Sequence, residues 1–517
     1  MTRRYLLAID AGTGSCRAVL FTEAGTQAGA GQREWTHHQP PGVPGGQDFD
    51  VRAGWQAIAA CIRDALRAAN ATGADVAAVA ATSMREGMVL YDRGGGEIWA
   101  CPNVDSRAAA EAEDLIREGA AAKIYAEAGD WVSITAPARL RWLARHRPDI
   151  LRDTASLGML SDWIVYRLTG QHVTEPSCGS SSGMFTLASR SWSASIPALC
   201  GLPAGVLPPV ADPGTVVGEV SPAAAGLTGL RPGTPVAAGG ADTQLGLLGA
   251  GAERDEYTVV AGTFWQNTVL LAEPLIDPEV RLRTLCHVVP GEWMLEGIGF
   301  YCGMSMRWFR DAFCDAEVAQ ARSRGIDPYL VMEEAAAGTA PGGVIAILSN
   351  MMNARRWAHA SPSFLQFDLA DPAASGRGAC VRAIEEAAAY VARGHRDIIA
   401  GLTGLHFGEM VFTGGAGRGR LWPQIMADVL GVPVHIPAVT ESSALGAAIC
   451  AGTAAGVYSG LLEPRPGLRR RAATFEPDPA AVAAYDERYA TWREVYRRML
   501  EITDDGLLRP LWRAAGA

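Results

Sequence analysis

At 517 residues the chain is too long for one ordinary hydrophobic core, so two domains of about 200 to 250 residues are expected, with a cleft between them as a natural place for a site. Apolar residues make up 49% and charged residues 19%, which excludes a largely disordered protein, and the net charge of −10 argues against a phosphate-neutralising nucleic-acid surface. The opening MTRRYLLAID turns acidic at Asp10 before a signal-peptide core forms, and no apolar run reaches the roughly 18 residues of a membrane span, so a soluble cytoplasmic protein without membrane or nucleic-acid partners is expected.

The first predicted element is a hairpin. In LLAIDAGTGSCRAVLF an apolar run ends at Asp10, passes through Gly12-Thr13-Gly14-Ser15 and becomes apolar again, the pattern of two strands joined by a tight turn. Gly12 and Gly14 let backbone N–H groups approach a ligand that a Cβ would hold off; the plain alternative is a hairpin that is merely glycine-rich. GAAAKIYAEAG predicts a helix and carries the chain's one lysine, Lys123. Ile124 follows it, so there is no Walker A loop, and any ATP chemistry must rest on backbone amides, arginine and Mg²⁺. GSSSG at 179–183 fits G-x-S-x-G with Ser181 as nucleophile, but TEPSC before it is not the apolar strand that a hydrolase elbow needs.

In TPVAAGGADTQLGLLGAG a strand ends in glycines and Asp242 begins an apolar helix, where an aspartate serves either as a helix cap or as a general base. Residues 255–271, DEYTVVAGTFWQNTVLL, repeat the opening pattern around Gly262-Thr263. Two such hairpins about 250 residues apart predict a duplicated domain with two phosphate loops at one cleft. EMVFTGGAGRGRLWPQIMADVLGVPVHIP predicts strand, glycine turn, helix and strand, the outline of a nucleotide site. No turn places glycines at i, i+2 and i+5, so a dinucleotide is not expected. GLRRRAA, the local basic run, reads as a solvated loop, and Tyr485, Tyr489, Trp492, Tyr496 and Met499 recur at helical spacing as a packing stripe. The ten cysteines include no C-x-x-C pair and read as core residues or free thiols.

The stretches AIDAGTGSCRAVLF, SDWIVYRLTG, GGADTQLG, AGTFWQ, CGMSMRWFRD and FTGGAGRGRLWPQIMADVLGVPV, followed by ESSALGAAICAG, resemble the FGGY family of carbohydrate kinases, in family order and over residues 5 to about 500. The resemblance implies an α/β fold of two actin-like (ribonuclease H-like) ATPase domains with an interdomain cleft. Residues 1–250 would carry the substrate and a phosphate loop, 251–455 the nucleotide, and 456–517 a helical segment packing back. It further implies ATP-dependent phosphorylation of an alcohol, with ATP and Mg²⁺ as cofactors. Asp242 would take the hydroxyl proton, Asp10 and Asp242 would attend the metal, and Gly12, Thr13, Gly14, Ser15, Arg17, Gly262, Thr263, Gly303, Arg307, Gly415 and Ala416 would surround ATP. Arg85, Glu86, Asn103, Asp105, Gln244 and Phe264 would line the substrate, with Arg107 beside them; surface ion pairing is the plain alternative for the charged ones.

Substrate-facing stretches narrow the implied acceptor. SMREGMVLYD, WACPNVDSRAAA, PGVPGGQDFD, GTFWQ and MRWFRDAFC resemble family members acting on the open-chain 4,5-dihydroxy-2,3-pentanedione, phosphorylated at its 5-hydroxyl. A pentulose or polyol kinase and a non-catalytic ATPase-fold sensor are the alternatives. Ile134 stands where glycerol kinases carry a tyrosine and would suit the methyl end of the dione; Arg139 replaces a usual lysine, and Gly419 a frequent asparagine. A small-molecule substrate and ATP are thus the expected partners, with homo-oligomerisation left open.

Overall fold

The computed structural model describes residues 4–203, 205–351, 359–463 and 470–511. Strand Tyr5–Ala11 pairs antiparallel with Ser15–Thr22, Asp10 opposite Arg17 and Ala11 opposite Cys16, so the predicted hairpin forms with Gly12 to Gly14 as its turn. The same strand pairs in parallel with Val76–Ser83, which in turn pairs in parallel with Pro235–Ala241. Strands buried on both faces need near-continuous apolar sequence, which explains why LLAI and VAAVAAT show no alternation. Gln27–Glu34 and Val216–Glu219 complete this six-stranded sheet at its two edges.

The second sheet repeats the arrangement. Tyr257–Ala261 pairs antiparallel with Trp265–Leu271 and in parallel with Met410–Gly414, as expected of a duplicated unit. Trp293–Phe300 and Arg283–Cys286 extend it beyond the hairpin on one side, Val434–Pro437 and Arg471–Phe475 on the other. Helix Ser442–Ala454 follows strand Val434–Pro437 of the second sheet but packs on the first, its alanines filling against Leu6, Ala8, Ala78, Ala80 and Ala237. Helix Asp242–Ala250 crosses it at backbone distance: a Cβ on Gly249 would lie 1.9 Å from the Ser442 carbonyl oxygen, and one on Gly446 2.0 Å from that of Leu245. Glycine is therefore required at this crossing, which joins the two halves of the chain.

Helix Pro479–Asp504 starts from an Asp478 cap that accepts from the Ala480 amide. It buries Tyr485, Tyr489 and Trp492 in the second core, with Tyr496 and Met499 packed alongside, and the Trp492 indole donates to the Ala346 carbonyl at 3.0 Å. Lys123 lies on helix Ala120–Ala128, as the sequence predicts. Ser181 is buried in the short helix Pro176–Ser181 with its hydroxyl donating to the Cys178 carbonyl, which is no nucleophile elbow. The basic run differs from expectation. Residues 467–469 lie outside the described residues, and Arg471 opens an edge strand, not a loop; an edge position is where a charged strand residue does least harm. All ten cysteines are buried, and among the described residues no helix is long and apolar enough to cross a membrane.

Candidate active site

The first glycine turn is shaped by side chains that take its carbonyl groups. The Trp35 indole N–H donates to the carbonyls of Gly12 and Thr13, both at 3.1 Å, and His37 Nε2 lies 2.7 Å from the Thr13 carbonyl. Burial lowers the His37 pKa, so the neutral ring donates there through Nε2–H. The Gly12 amide closes the turn onto the Ser15 carbonyl at 2.9 Å, and Asn103 Nδ2 donates to Thr13 Oγ1 at 3.0 Å. Asn103 therefore joins its own loop to the first glycine turn.

At the second turn, the Gly262 amide donates to the Phe264 carbonyl, and the Thr263 carbonyl receives the amides of Gly303 and Met304, each at 3.2 Å. Those two amides open helix Cys302–Phe313. A Cβ on Gly303 would lie 2.1 Å from the Gly262 oxygen, so glycine alone lets the helix reach the turn. Phe264 stacks on Tyr301 with centroids 5.4 Å apart, and Arg307 sits on the exposed side of the helix. Gly415 and Ala416 begin a 3₁₀ turn just past strand Met410–Gly414, whose last residue pairs with Ala261 at the end of the hairpin strand. Five of the residues expected around nucleotide, Gly262, Thr263, Gly303, Gly415 and Ala416, thus cluster at adjoining element ends.

Two carboxylates come together where the first sheet meets helix Asp242–Ala250. The Asp10 carboxyl is pushed up to about 7, by burial first and then by the Asp242 carboxylate; Arg17 opposes this and Glu441 adds to it. Asp242 is raised as well, mainly by burial, with Arg85 opposing. Asp242 is the first residue of its helix, with Ala241 at the cap position, and its Oδ1 accepts from the Thr243 amide at 2.7 Å. Arg85 Nε stands 3.9 Å from the same oxygen. Ser443 Oγ donates to the Asp242 carbonyl at 2.9 Å, and Arg17 Nη1 donates to Glu441 Oε2 at 2.7 Å, so helix Ser442–Ala454 and the residue before it flank both carboxylates. Among the described residues no group of three or more metal-type side chains gathers. Crowded carboxylates of this kind suit Mg²⁺, which keeps several waters and uses one or two protein carboxylates plus phosphate oxygens.

The charged residues expected at the acceptor form buried ion pairs, where surface pairs were the alternative. Arg85 and Glu86 follow strand Val76–Ser83, Glu86 in the left-handed region at φ +60°. Arg85 Nη1 donates to Glu296 Oε2 at 2.7 Å, and Glu86 Oε1 receives Arg283 Nη1 at 2.8 Å. Arg139 is buried and donates to three loop carbonyls: Glu86, Asn103 at 3.1 Å and Asp105 at 2.9 Å. Asp105 Oδ1 accepts from the Gln47 amide at 2.8 Å and from Arg107 Nε at 2.7 Å, while the Arg107 guanidinium lies between Trp99 and Trp142. Asp105 and Arg107 thus hold the loop in shape. Gln244 is buried beside the Cys286 carbonyl; its Oε1, like the Trp131 indole N–H, has no hydrogen-bond partner among the described residues. Sequence reading passed over Trp35, His37, Asp130, Arg283, Glu296 and Glu441, each of which acts on a residue distant in the chain.

Two sheets that repeat one arrangement, each with its own glycine hairpin turn, together with the neighbouring, half-buried Asp10 and Asp242 carboxylates, form the two-domain architecture of sugar kinases with an actin-like ATPase fold. Models of the FGGY family of carbohydrate kinases match residues 5–249 as its N-terminal domain and 258–455 as its C-terminal domain. The chain belongs to that family, whose members are ATP-using phosphotransferases with an alcohol acceptor. It is 44% identical over 521 residues to the autoinducer-2 kinase of Escherichia coli K12, spanning 100% of this chain and 98% of that one. With the autoinducer-2 kinase of Klebsiella pneumoniae the identity is 43% over 518 residues, 99% and 97% of the two chains. Among solved structures, the xylulose kinase of Rhodospirillum rubrum superposes with a TM-score of 0.81 at 26% identity, covering 96% of this chain and 99% of that one. The Plasmodium falciparum glycerol kinase with ADP shares the fold, at a TM-score of 0.79 and 18% identity over 96% and 98%.

Proposed function

We propose that this chain phosphorylates the terminal 5-hydroxyl of open-chain 4,5-dihydroxy-2,3-pentanedione, the autoinducer-2 precursor, with ATP as donor. The observation that carries the reading is the 44% identity to an autoinducer-2 kinase along the whole chain. Ionised Asp242 accepts the hydroxyl proton as the acceptor oxygen bonds to the γ-phosphorus; the bond from that phosphorus to the bridging oxygen breaks and ADP leaves. Mg²⁺, attended by Asp10 and Asp242, neutralises phosphate charge when bound. Arg85, Glu86, Asn103, Gln244 and Phe264 contact the acceptor, with Asp105 fixing the loop. The amides of Thr13, Gly14 and Thr263, together with Ser15 and Arg17, serve the phosphates; Gly12, Gly262 and Gly303 shape the turns, and Arg307, Gly415 and Ala416 lie around the rest of the nucleotide.

In the same reading residues 1–250 and 251–455 act as the two closing units, followed by the C-terminal helical segment from 456, in a cytoplasmic setting where a diffusible signal is trapped by gaining charge. Phosphorus NMR of the product tests it. A phosphate ester on the primary carbon couples to two methylene protons and gives a triplet. A doublet would place the phosphate on the secondary hydroxyl and remove the assignment of the 5-position.

A further inference from the structure

We infer that Glu296, a carboxylate of the second sheet, is a positioning residue that aims Arg85 at the acceptor and holds it off Asp242, with Arg283 as its counterpart. The inference rests on the reading of Arg85 as an acceptor contact. Glu296 and Arg283 face each other across neighbouring antiparallel strands, and the Glu296 side chain is fully buried. Its two oxygens are divided between two guanidinium groups, Oε2 with Arg85 Nη1 and Oε1 with Arg283 Nε, both at 2.7 Å. Arg283 carries the link back, donating through Nη1 to Glu86 at 2.8 Å and to Asp130 at 3.2 Å. Consecutive acceptor-side residues of the first unit are thus each gripped by one of a facing pair from the second.

Stability does not require this arrangement, since buried ion pairs of good geometry are often matched or bettered by apolar packing of the same volume. Charge arithmetic supplies a different reason. Arg85 stands between two carboxylates, Glu296 at 2.7 Å and Asp242 at 3.9 Å. With Glu296 in place Nη1 is committed, and the guanidinium comes no nearer to Asp242 than Nε at 3.9 Å. Without it the whole guanidinium is free to close on Asp242 as a two-point pair, which ties up the proposed base and withdraws Arg85 from the acceptor. Glu296 thereby makes a residue of the first unit depend on the second unit being in place.

The experiment is a double-mutant cycle in the full-length enzyme, with Arg85→Ala, Glu296→Gln and the pair, measured with both 4,5-dihydroxy-2,3-pentanedione and xylulose so that the acceptor assignment does not decide the outcome. Glu296→Gln is expected to lower acceptor kcat/KM by about 10²-fold, the scale for a misplaced contact, with the KM for ATP within about twofold. Because Glu296 acts through Arg85, the double variant is expected to be no worse than Arg85→Ala alone. Losses that multiply in the double variant, or a folded Glu296→Gln enzyme within about threefold of the parent, overturn the inference. Unchanged acceptor kinetics in Arg85→Ala would instead remove the reading on which it rests. If Glu296→Gln does not fold, Glu296→Asp, which keeps the charge but draws the carboxylate back, takes its place in the cycle with the same two outcomes.

Discussion

Asp242→Asn is expected to lower kcat by about 10² to 10⁴, the range for loss of a general base, while nucleotide still binds. Asparagine keeps the size of the side chain and an oxygen able to accept the Thr243 amide, so the start of helix Asp242–Ala250 survives the change. What is lost is the acceptor for the hydroxyl proton. The pH profile separates this from a general weakening. Burial raises the Asp242 pKa above 3.8, and the base works only when ionised, so the acid limb of kcat/KM in the parent enzyme falls at a pH above the ordinary aspartate range. Asp242→Asn should lose that limb. A variant within about threefold of the parent, with the limb intact, would show that another group takes the proton.

Asp10→Asn is expected to split stability from function. Held at about 7 in the fold against 3.8 for a free aspartate, Asp10 disfavours the folded state once it ionises. Its contribution is fully present below pH 3.8 and is lost as the pH rises through about 7, so the ligand-free protein is strained above neutrality by this group. Asparagine has no charge to bury. The variant should therefore melt higher than the parent at pH 8, with the gain shrinking towards pH 5, while its Mg²⁺-dependent nucleotide affinity falls by about 10²-fold, as when a group acting through metal-bound water is lost. Melting curves at the two pH values and nucleotide titrations with and without Mg²⁺ check both halves. Equal melting shifts at pH 5 and pH 8, or unaltered Mg²⁺-dependent binding, would contradict the role given to Asp10.

The two hairpins, the Asp242 helix, the strand and turn at Gly414–Gly415 and the aromatic stripe of helix Pro479–Asp504 were legible in the sequence because each depends on residues next to one another in the chain. Glycine spacing, an apolar run and a helical period are local signals. The partners of the candidate site were not legible, because they are long-range choices: Arg283 and Glu296 meet Glu86 and Arg85 across about 200 residues, and Arg17 meets Glu441 across more than 400. A lone arginine or glutamate in a strand carries no mark of the charge that will face it. Packing of helix Ser442–Ala454 on the first sheet was hidden for the same reason, since an alanine-rich helix fits either sheet and the glycines at 249 and 446 gain meaning only once the crossing is known. Asp105 and Arg107 looked like ligands by chemistry, but their hydrogen bonds go to each other and to Gln47 and Asp48 of a second loop.

Acceptor preference is the most direct test of the proposed activity. With ATP and Mg²⁺ held constant, coupled ADP release should be followed across 4,5-dihydroxy-2,3-pentanedione, xylulose, ribulose, glycerol and erythritol. A pocket that hydrogen-bonds its own substrate can reject an analogue lacking the matching group by up to about 10⁴, so the dione is expected to give the highest kcat/KM by a wide margin. A pentulose turned over with a higher kcat/KM than the dione would contradict the proposed acceptor while leaving family membership intact.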